Sequence, residues 1–228
     1  TPRLHVRYTP WERTALRFSM GQGRKAANVF AENQTLFATN RAIDLRQNGG
    51  SIYGLRPEKA WNYGGSFQQG FTLFGQQGEL NIDYYITNFQ DQVVVDWETA
   101  RYIRFYNLAG KSYANSFQLG FDYVPIKNIS TRFAYKNYQV KTTYLDGLKQ
   151  RPLQPEHRFF VNADYNNVTA EGKGWRADLT HHFVGEQRLP TNPRDGVDFS
   201  AGAYGLWNAQ LTCVFSPSES CLLYTSPS

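Results

Sequence analysis

The stretch GLRPEKAWNYGGSFQQGFTLFGQQGELNIDYYITNF, residues Gly54–Phe89, decides the fold. Trp61, Tyr63, Phe67, Phe71 and Leu73 fall on one parity, with Asn62, Ser66, Gln68 and Thr72 between them. Gly75-Gln76-Gln77-Gly78 then reads as a turn. Beyond it Leu80, Ile82, Tyr84 and Ile86 alternate with Asn81, Asp83 and Thr87. A period of two places successive side chains on opposite faces of a strand. The stretch is therefore a hairpin with one apolar, aromatic-rich face and one polar face.

The same alternation recurs in Arg3–Tyr8, Arg13–Met20, Phe117–Tyr123, Ile129–Lys136, Arg158–Tyr165, Trp175–Phe183 and Trp207–Phe215. The chain thus holds about nine strands, each with an apolar face. Alternation alone does not name the solvent, because a soluble sandwich is also apolar inside and polar outside. Connection lengths do more. Thr9–Glu12, Gly75–Gly78, Val124–Asn128 and Asn167–Lys173 are short. Gly21–Pro57, Asp96–Gly110, Tyr144–Glu156 and Arg188–Gly202 are long, and the two kinds alternate. Up-and-down outer-membrane barrels have this asymmetry, with tight periplasmic turns and long extracellular loops. Patterned segments of about 10–14 residues also exceed the soluble norm and suit a tilted bilayer crossing. Aromatics gather near strand ends (Trp61, Tyr63, Tyr123, Tyr135, Trp175, Trp207), as interfacial girdles do. The expected fold is all-β: an antiparallel up-and-down transmembrane β-barrel, its aromatic face in lipid and its polar face lining a wet lumen. The alternative is a secreted soluble β-sandwich that binds glycans and packs its aromatic faces on each other.

Composition agrees with this and excludes other classes. Mean hydropathy is −0.56, and no run approaches the length of a membrane helix, but a barrel needs apolar residues only at alternate places. Aromatics make up 16% of the 228 residues, above the needs of an ordinary core. The net charge of +5 is mild and its cations are scattered, so nucleic acid is not an expected partner. Cys213 and Cys221 make no disulfide framework. The chain lacks a starting Met and opens in strand pattern, so a targeting signal is expected upstream.

Four segments carry a family resemblance. LRPEKAWNYGGSF (Leu55–Phe67) resembles the Leu-x-Pro-Glu entry into a barrel strand of the TonB-dependent outer-membrane receptors. RFSMGQGRKAANVFAENQTLFATNRAI (Arg17–Ile43) is similar to a strand and following loop of that family. FYNLAGKSYANSFQLGFDY (Phe105–Tyr123) resembles its return strand, and LWNAQLTCVF (Leu206–Phe215) a strand near its C-terminus. The similarity covers residues 1–219 and is nearest to the Bacteroidota-type receptors. It implies part of a barrel of about 22 strands closed by a plug. It also implies localisation in the outer membrane of a Gram-negative bacterium, and TonB-energised uptake of a scarce ligand, a ferric siderophore or similar chelate. TonB and the plug domain would be partners, with no cofactor and no enzymatic activity. Residues 220–228, SCLLYTSPS, resemble translated sequencing-adapter read-through and are read as a non-native tail without a partner strand.

The residues offer few sharper sites. Gly21-Gln22-Gly23-Arg24-Lys25-Ala26 mimics a dinucleotide fingerprint, but no βαβ unit surrounds it, and it reads as a strand end. His181 and His182 are adjacent on a strand, point to opposite faces and cannot chelate together; His182 is expected in the lumen and His181 at the lipid interface. Asp83, Asp122, Asp164 and Asp178 share the polar face with Arg132, Lys136, Arg158 and Arg176, and are expected in cross-strand ion pairs rather than as the acids of a barrel enzyme. Cys213 reads as a small hydrophobe on the apolar face. The ligand-binding candidates are loop cations and aromatics: Arg24, Lys25, Arg41, Arg46, Arg101, Tyr102, Arg104 and Tyr106, with Phe105 among them. Such groups stack on and charge-pair with an anionic chelate. The plainer account of them is contact with lipopolysaccharide or loop solvation.

Overall fold

A computed structural model describes residues 2–47, 49–169, 171–190, 199–216 and 219–225. β1 (Arg3–Tyr8) and β2 (Thr14–Lys25) precede two single-turn helices, α1 (Val29–Glu32) and α2 (Gln34–Phe37), and β3 (Ala42–Arg46). β4 (Glu58–Leu73) and β5 (Gln76–Gln90) form the central hairpin. β6 (Val93–Asp96) and β7 (Tyr102–Asn107) occupy the next connection. β8 (Ser112–Ile126) and β9 (Ile129–Tyr144) follow, with β10 (Gly147–Gln150) folding back on β9. β11 (His157–Asn166) and β12 (Gly174–Val184) come next, then β13 (Gln187–Arg188), β14 (Ser200–Ala201), β15 (Tyr204–Ser216) and β16 (Glu219–Thr225).

The main sheet runs β1-β2-β4-β5-β8-β9-β11-β12-β15-β16, and every pairing in it is antiparallel. It is one up-and-down meander, and each expected segment lies in a strand except for Arg13, which has a φ of 61° in the turn before β2. The turn of the β4–β5 hairpin differs from expectation. Leu73 pairs with Gln76, so the turn is Phe74-Gly75, and Gln76–Gly78 already belong to β5. Both turn residues have positive φ, 51° and 75°, the conformation of the tight turn that fits strand twist. The Phe71 ring covers Gly78, where a side chain would collide with it. A second expectation is also corrected. The tail does have a partner: β16 pairs antiparallel with β15 from Ala209↔Thr225 to Ser216↔Glu219.

Register sorts the side chains into two faces. One row reads Tyr8, Leu16, Phe67, Ile82, Leu119, Tyr135, Phe159, Phe183 across eight strands in contact. The row beside it, one residue along each strand, reads Arg7, Arg17, Ser66, Asp83, Gln118, Lys136, Arg158, Val184. Rings on the apolar face form a ladder, with Tyr135–Phe159 centroids at 4.7 Å, Phe71–Phe121 at 5.5 Å and Phe159–Phe183 at 5.8 Å. No second sheet covers that ladder among the described residues, and Phe18 and Trp207 remain 69% and 61% exposed. This overturns the sandwich alternative, which requires those rings to be buried. His181 stacks on Trp207 on the apolar face, while His182 packs against Phe160 on the polar face.

The buried apolar cores of the chain sit in the long connections, not between layers of the wall. The long connections expected over Gly21–Pro57 and Asp96–Gly110 are not plain loops: β2 runs on to Lys25, and residues 26–47, 49–57 and 91–111 fold together. β3 pairs parallel with β7, and β6 pairs antiparallel with β7. On one side of this small sheet Ile103 and Phe105 pack with Ala27, Val29 and Leu55, bordered by Phe37, Leu45, Val93, Val95 and Trp97. On its other side Val94 and Tyr106 meet Tyr144 at the end of β9. Asn107 locks the unit to the wall: its amide donates to the carbonyls of Arg56 and Asp91 and accepts from the Arg56 N–H at 2.9 Å. Phe105→Ala, at a fully buried position, should cost the unit about 3–5 kcal/mol. Limited proteolysis should then cut within 26–57 and 91–111 together, while the heat-modifiable electrophoretic shift of the folded wall persists.

Candidate functional site

Strand length builds the site. β4, β5, β8 and β9 are 15 or 16 residues long, more than a tilted crossing needs, so they extend past the apolar band at the loop end. The small sheet rests on the polar face of that extension, where Ser112, Ala114, Val140 and Thr142 are buried. A structured layer thus roofs the polar side of the wall.

The expected ligand residues divide into three groups. Arg46, Arg104 and Tyr102 come together around Asp44, because parallel pairing sets Asp44 opposite Arg104 and Arg46 opposite Tyr106. Arg46 Nε lies 3.3 Å from Asp44 Oδ2, and the Arg104 guanidinium lies 5.2 Å from the centre of the Tyr102 ring. Arg104 Nε approaches Asp44 Oδ2 at 3.5 Å without the alignment of a hydrogen bond and is otherwise orphaned and buried. Arg41 and Arg101 border this cluster: Arg41 donates to the Trp97 carbonyl at 3.2 Å, and Arg101 is exposed. Tyr106 is internal, its hydroxyl donating to Asp96 at 3.3 Å, and so stands outside the surface cluster. Arg24 and Lys25 stand apart at the end of β2. Lys25 is ion-paired with Glu32 and with Glu58, whereas Arg24 projects on the apolar-face parity and donates to Gln22 at 3.3 Å.

Sequence reasoning missed the residues that hold the layer down. Arg188 forms a two-pronged ion pair with buried Glu98, donates from Nε to the Gln150 carbonyl at 2.6 Å and lies 5.8 Å from the centre of the Tyr144 ring. Its own carbonyl accepts from Leu153 N–H at 2.8 Å. One side chain therefore joins three long connections. Nothing in the periodicity announces a pairing between residues 98 and 188. A clue to β6 and β7 did exist in Val93-Val94-Val95 and in the alternation of Tyr102–Tyr106.

Burial, and then the Asp96 carboxylate, push the Tyr106 phenol far above its ordinary value. Burial, and then the charge of Glu98, push Tyr144 up to about 12. A cavity of about 190 Å³ beside Tyr144, with Gln92, Trp97, Thr142 and Arg151 in its walls, is smaller than a site for a drug-sized ligand. Open polar space lies lower on the wall, a groove of about 400 Å³ bordered by Arg13, Glu79, Asp122, Arg132 and Asn162. There the expectation of ion-paired acids holds only in part. Asp122 pairs with Arg132, but Asp178 is held by Asn162 and by Thr180 at 2.9 Å, directly opposite Asp164. Among the described residues Asp83, Asp164 and Asp178 have no cationic partner, and Asp178 is held by neutral donors alone.

Residues 1–215 match the family described as TonB dependent receptor-like, beta-barrel. No curated protein gives a significant match. Solved structures that resemble the chain include the ferric-catecholate import receptor Fiu from E. coli K12, with a TM-score of 0.67 at 14% identity, over 97% of this chain and 29% of that one. The ferripyoverdine receptor of the outer membrane of Pseudomonas aeruginosa matches at 0.68 and 12% identity, over 98% and 28%. The copper transporter OprC matches at 0.71 and 14%, over 94% and 31%. At these identities the likeness concerns fold, and the chain spans under a third of each of these three structures.

Two outcomes test the layer. Glu98→Ala removes the carboxylate that Arg188 pairs with while its other contacts remain, and should cost about 3 kcal/mol, with part of that loss absent when Arg188→Met is also present; urea titration of loop proteolysis reads both. Tyr106 and Tyr144 hold their protons more tightly folded than unfolded. The layer should keep full stability below pH 10, the ordinary tyrosine value, and lose it as pH rises toward about 12. Ultraviolet titration should show these phenols ionising only as the loops become cleavable.

Proposed function

Because the chain belongs to the TonB-dependent receptor-like β-barrel family, we propose that it forms part of the wall and extracellular roof of an outer-membrane receptor that imports a scarce ligand, a ferric siderophore or similar chelate. The observation that carries this reading is the combination of an uncovered aromatic face with a folded loop layer on the opposite, polar face. Rings left bare on one side suit hydrocarbon. A polar face roofed by structured loops suits a lumen that a ligand enters from outside the cell.

In this reading Arg46, Arg104 and Tyr102 offer an anionic chelate two cations and a stacking face, with Arg41 and Arg101 adjoining. Asp44 holds both guanidinium groups in place and gives up part of its hold when a ligand anion arrives. The receptor's plug domain and TonB would supply the energised step, and outer-membrane lipid and lipopolysaccharide would surround the wall. The protein forms and breaks no covalent bond in this role. An iron chelate is favoured over a bare metal ion because the cluster is cationic and aromatic, and no group of three metal-ligating side chains occurs among the described residues.

Deleting the gene should abolish growth on one ferric siderophore as sole iron source, and a protonophore should stop its uptake in the wild type. Arg104→Ala should weaken binding of that chelate by about tenfold or more, the worth of a charge-assisted contact. Normal growth of the deletion strain on every ferric chelate tried, with uptake of a glycan or cobalamin lost instead, would reassign the ligand.

A further inference from the structure

The small sheet of the loop layer keeps one bare edge. Its strand order is β3-β7-β6, so β6 is paired on one side only. The Gln92 carbonyl accepts from Leu108 N–H at 2.7 Å, and the register runs on through Val93↔Asn107, Val94↔Tyr106 and Val95↔Phe105. In an antiparallel ladder, bonded pairs alternate with non-bonded ones. Val94 and Asp96 therefore direct their backbone groups at β7, and Val93 and Val95 direct theirs away from it. The Val93 N–H agrees with this, since it donates to Glu58 Oε1 at 2.8 Å. Among the described residues none meets the Val93 carbonyl, or the N–H and carbonyl of Val95.

That edge borders the cavity of about 190 Å³ beside Tyr144. Leu36 and Trp97 line it from the side of the first core, and Thr142 and Tyr144 from the wall. Arg151 and Leu153 enter from the segment after β10. Gln92, also in the lining, has its Oε1 buried without a hydrogen-bond partner among the described residues. No carboxylate stands among the lining residues, and Arg151 is exposed and pairs with none among the described residues. The cavity thus offers acceptors at its Gln92–Val93 end, a backbone donor at Val95 and one cation. A bare strand edge is a template for another backbone. A water's share of liquid volume is about 30 Å³, so the cavity equals about six waters, room for two small residues.

We infer that the free edge of β6 binds a dipeptide of small residues, laid parallel to it as an added strand. In a parallel pairing one residue spans two positions of its neighbour: it donates to the residue before and accepts from the residue after. The dipeptide's first residue therefore sits across from Val94. Its ammonium donates to the Val93 carbonyl and to Gln92 Oε1, and its carbonyl accepts from Val95 N–H. The carboxylate at the other end meets Arg151, and the small side chains pack against Leu36, Trp97 and Leu153. The volume leaves no room for a longer chain. This inference goes beyond the chelate reading and needs only the folded loop layer. Loss of chelate uptake with dipeptide binding intact, or the reverse, separates the failure of one from the failure of the other.

The test uses the complete receptor in lipid nanodiscs and alanyl-alanine as the probe. Hydrogen exchange read by mass spectrometry should slow over residues 92–97 when the dipeptide is added, and saturation-transfer NMR gives its affinity. Propionyl-alanine, which lacks only the ammonium, should bind about tenfold more weakly, the worth of a charge-assisted hydrogen bond. Arg151→Gln should weaken alanyl-alanine by about tenfold and leave alanyl-alaninamide unchanged. Val95→Pro deletes the edge N–H but no bond to β7, and should weaken alanyl-alanine roughly fivefold. Resistance of residues 91–111 to protease shows that a variant keeps the layer folded; should Val95→Pro lose it, the altered ligands and Arg151→Gln decide alone. Slow exchange at residues 92–97 before any dipeptide is added would show that another segment already covers the edge, and would overturn the inference. Equal binding of propionyl-alanine, or full protection by acetate alone, would overturn it too.

Discussion

A peptide group in hydrocarbon has no water to bond, so every N–H and C=O that crosses a bilayer must find its partner on a neighbouring strand. This constraint explains why the wall is an unbroken meander of long antiparallel strands rather than two packed layers. It also explains the placement of charge. With the backbone satisfied within the sheet, each side chain has only one choice, which face it occupies, and a carboxylate on the wrong face would carry a depth-dependent penalty of kilocalories per mole. The uniform parity of the acids follows. The hydrophobic core familiar from water-soluble domains is not needed in the wall, because lipid provides the apolar contact that a second layer would otherwise supply.

Where the strands leave the band, ordinary rules return. The connections 26–57 and 91–111 are in water, and they behave as a small soluble domain would. They bury Val29, Leu55, Ile103 and Phe105 almost completely and pair their backbone in a sheet of their own. Their polar interior is held by specific partners: Asp96 by Tyr106 and the Glu98 N–H, and Glu98 by Arg188. The exposed cations at Arg46 and Arg101 thereby stand on a stiff base. A binding surface on packed elements keeps its geometry better than one on free loops.

The wall was legible in the sequence because its determinant is local. Alternation over seven or more residues, as in Trp61–Leu73 or Phe159–Tyr165, states both the element and its face, and alternate short and long connections state the topology. The details that escaped are those a local pattern does not encode. The Phe74-Gly75 turn was hidden by the glycine at Gly78, which serves to seat the Phe71 ring rather than to bend the chain. The pairing of β3 with β7 joins Asp44 to Arg104 across the whole β4–β5 hairpin, and Arg188 reaches Glu98 across the six strands β7 to β12. The candidate site was accordingly half visible. Its residue types stood out as loop cations and rings, but which of them share a surface depends on these distant pairings, which separate Arg24, Lys25 and Tyr106 from the rest.

The parallel pairing of β3 with β7 has a consequence for how such receptors diversify. Surface loops usually change one at a time, each insertion or exchange judged by itself. Here Ile43 and Leu45 gain their neighbours from Ile103 and Phe105, so a recombination event that imported either connection alone would leave half a core facing water. Viable chimaeras would have to carry residues 26–57 and 91–111 as a linked cassette, with the intervening hairpin travelling between them as passive cargo.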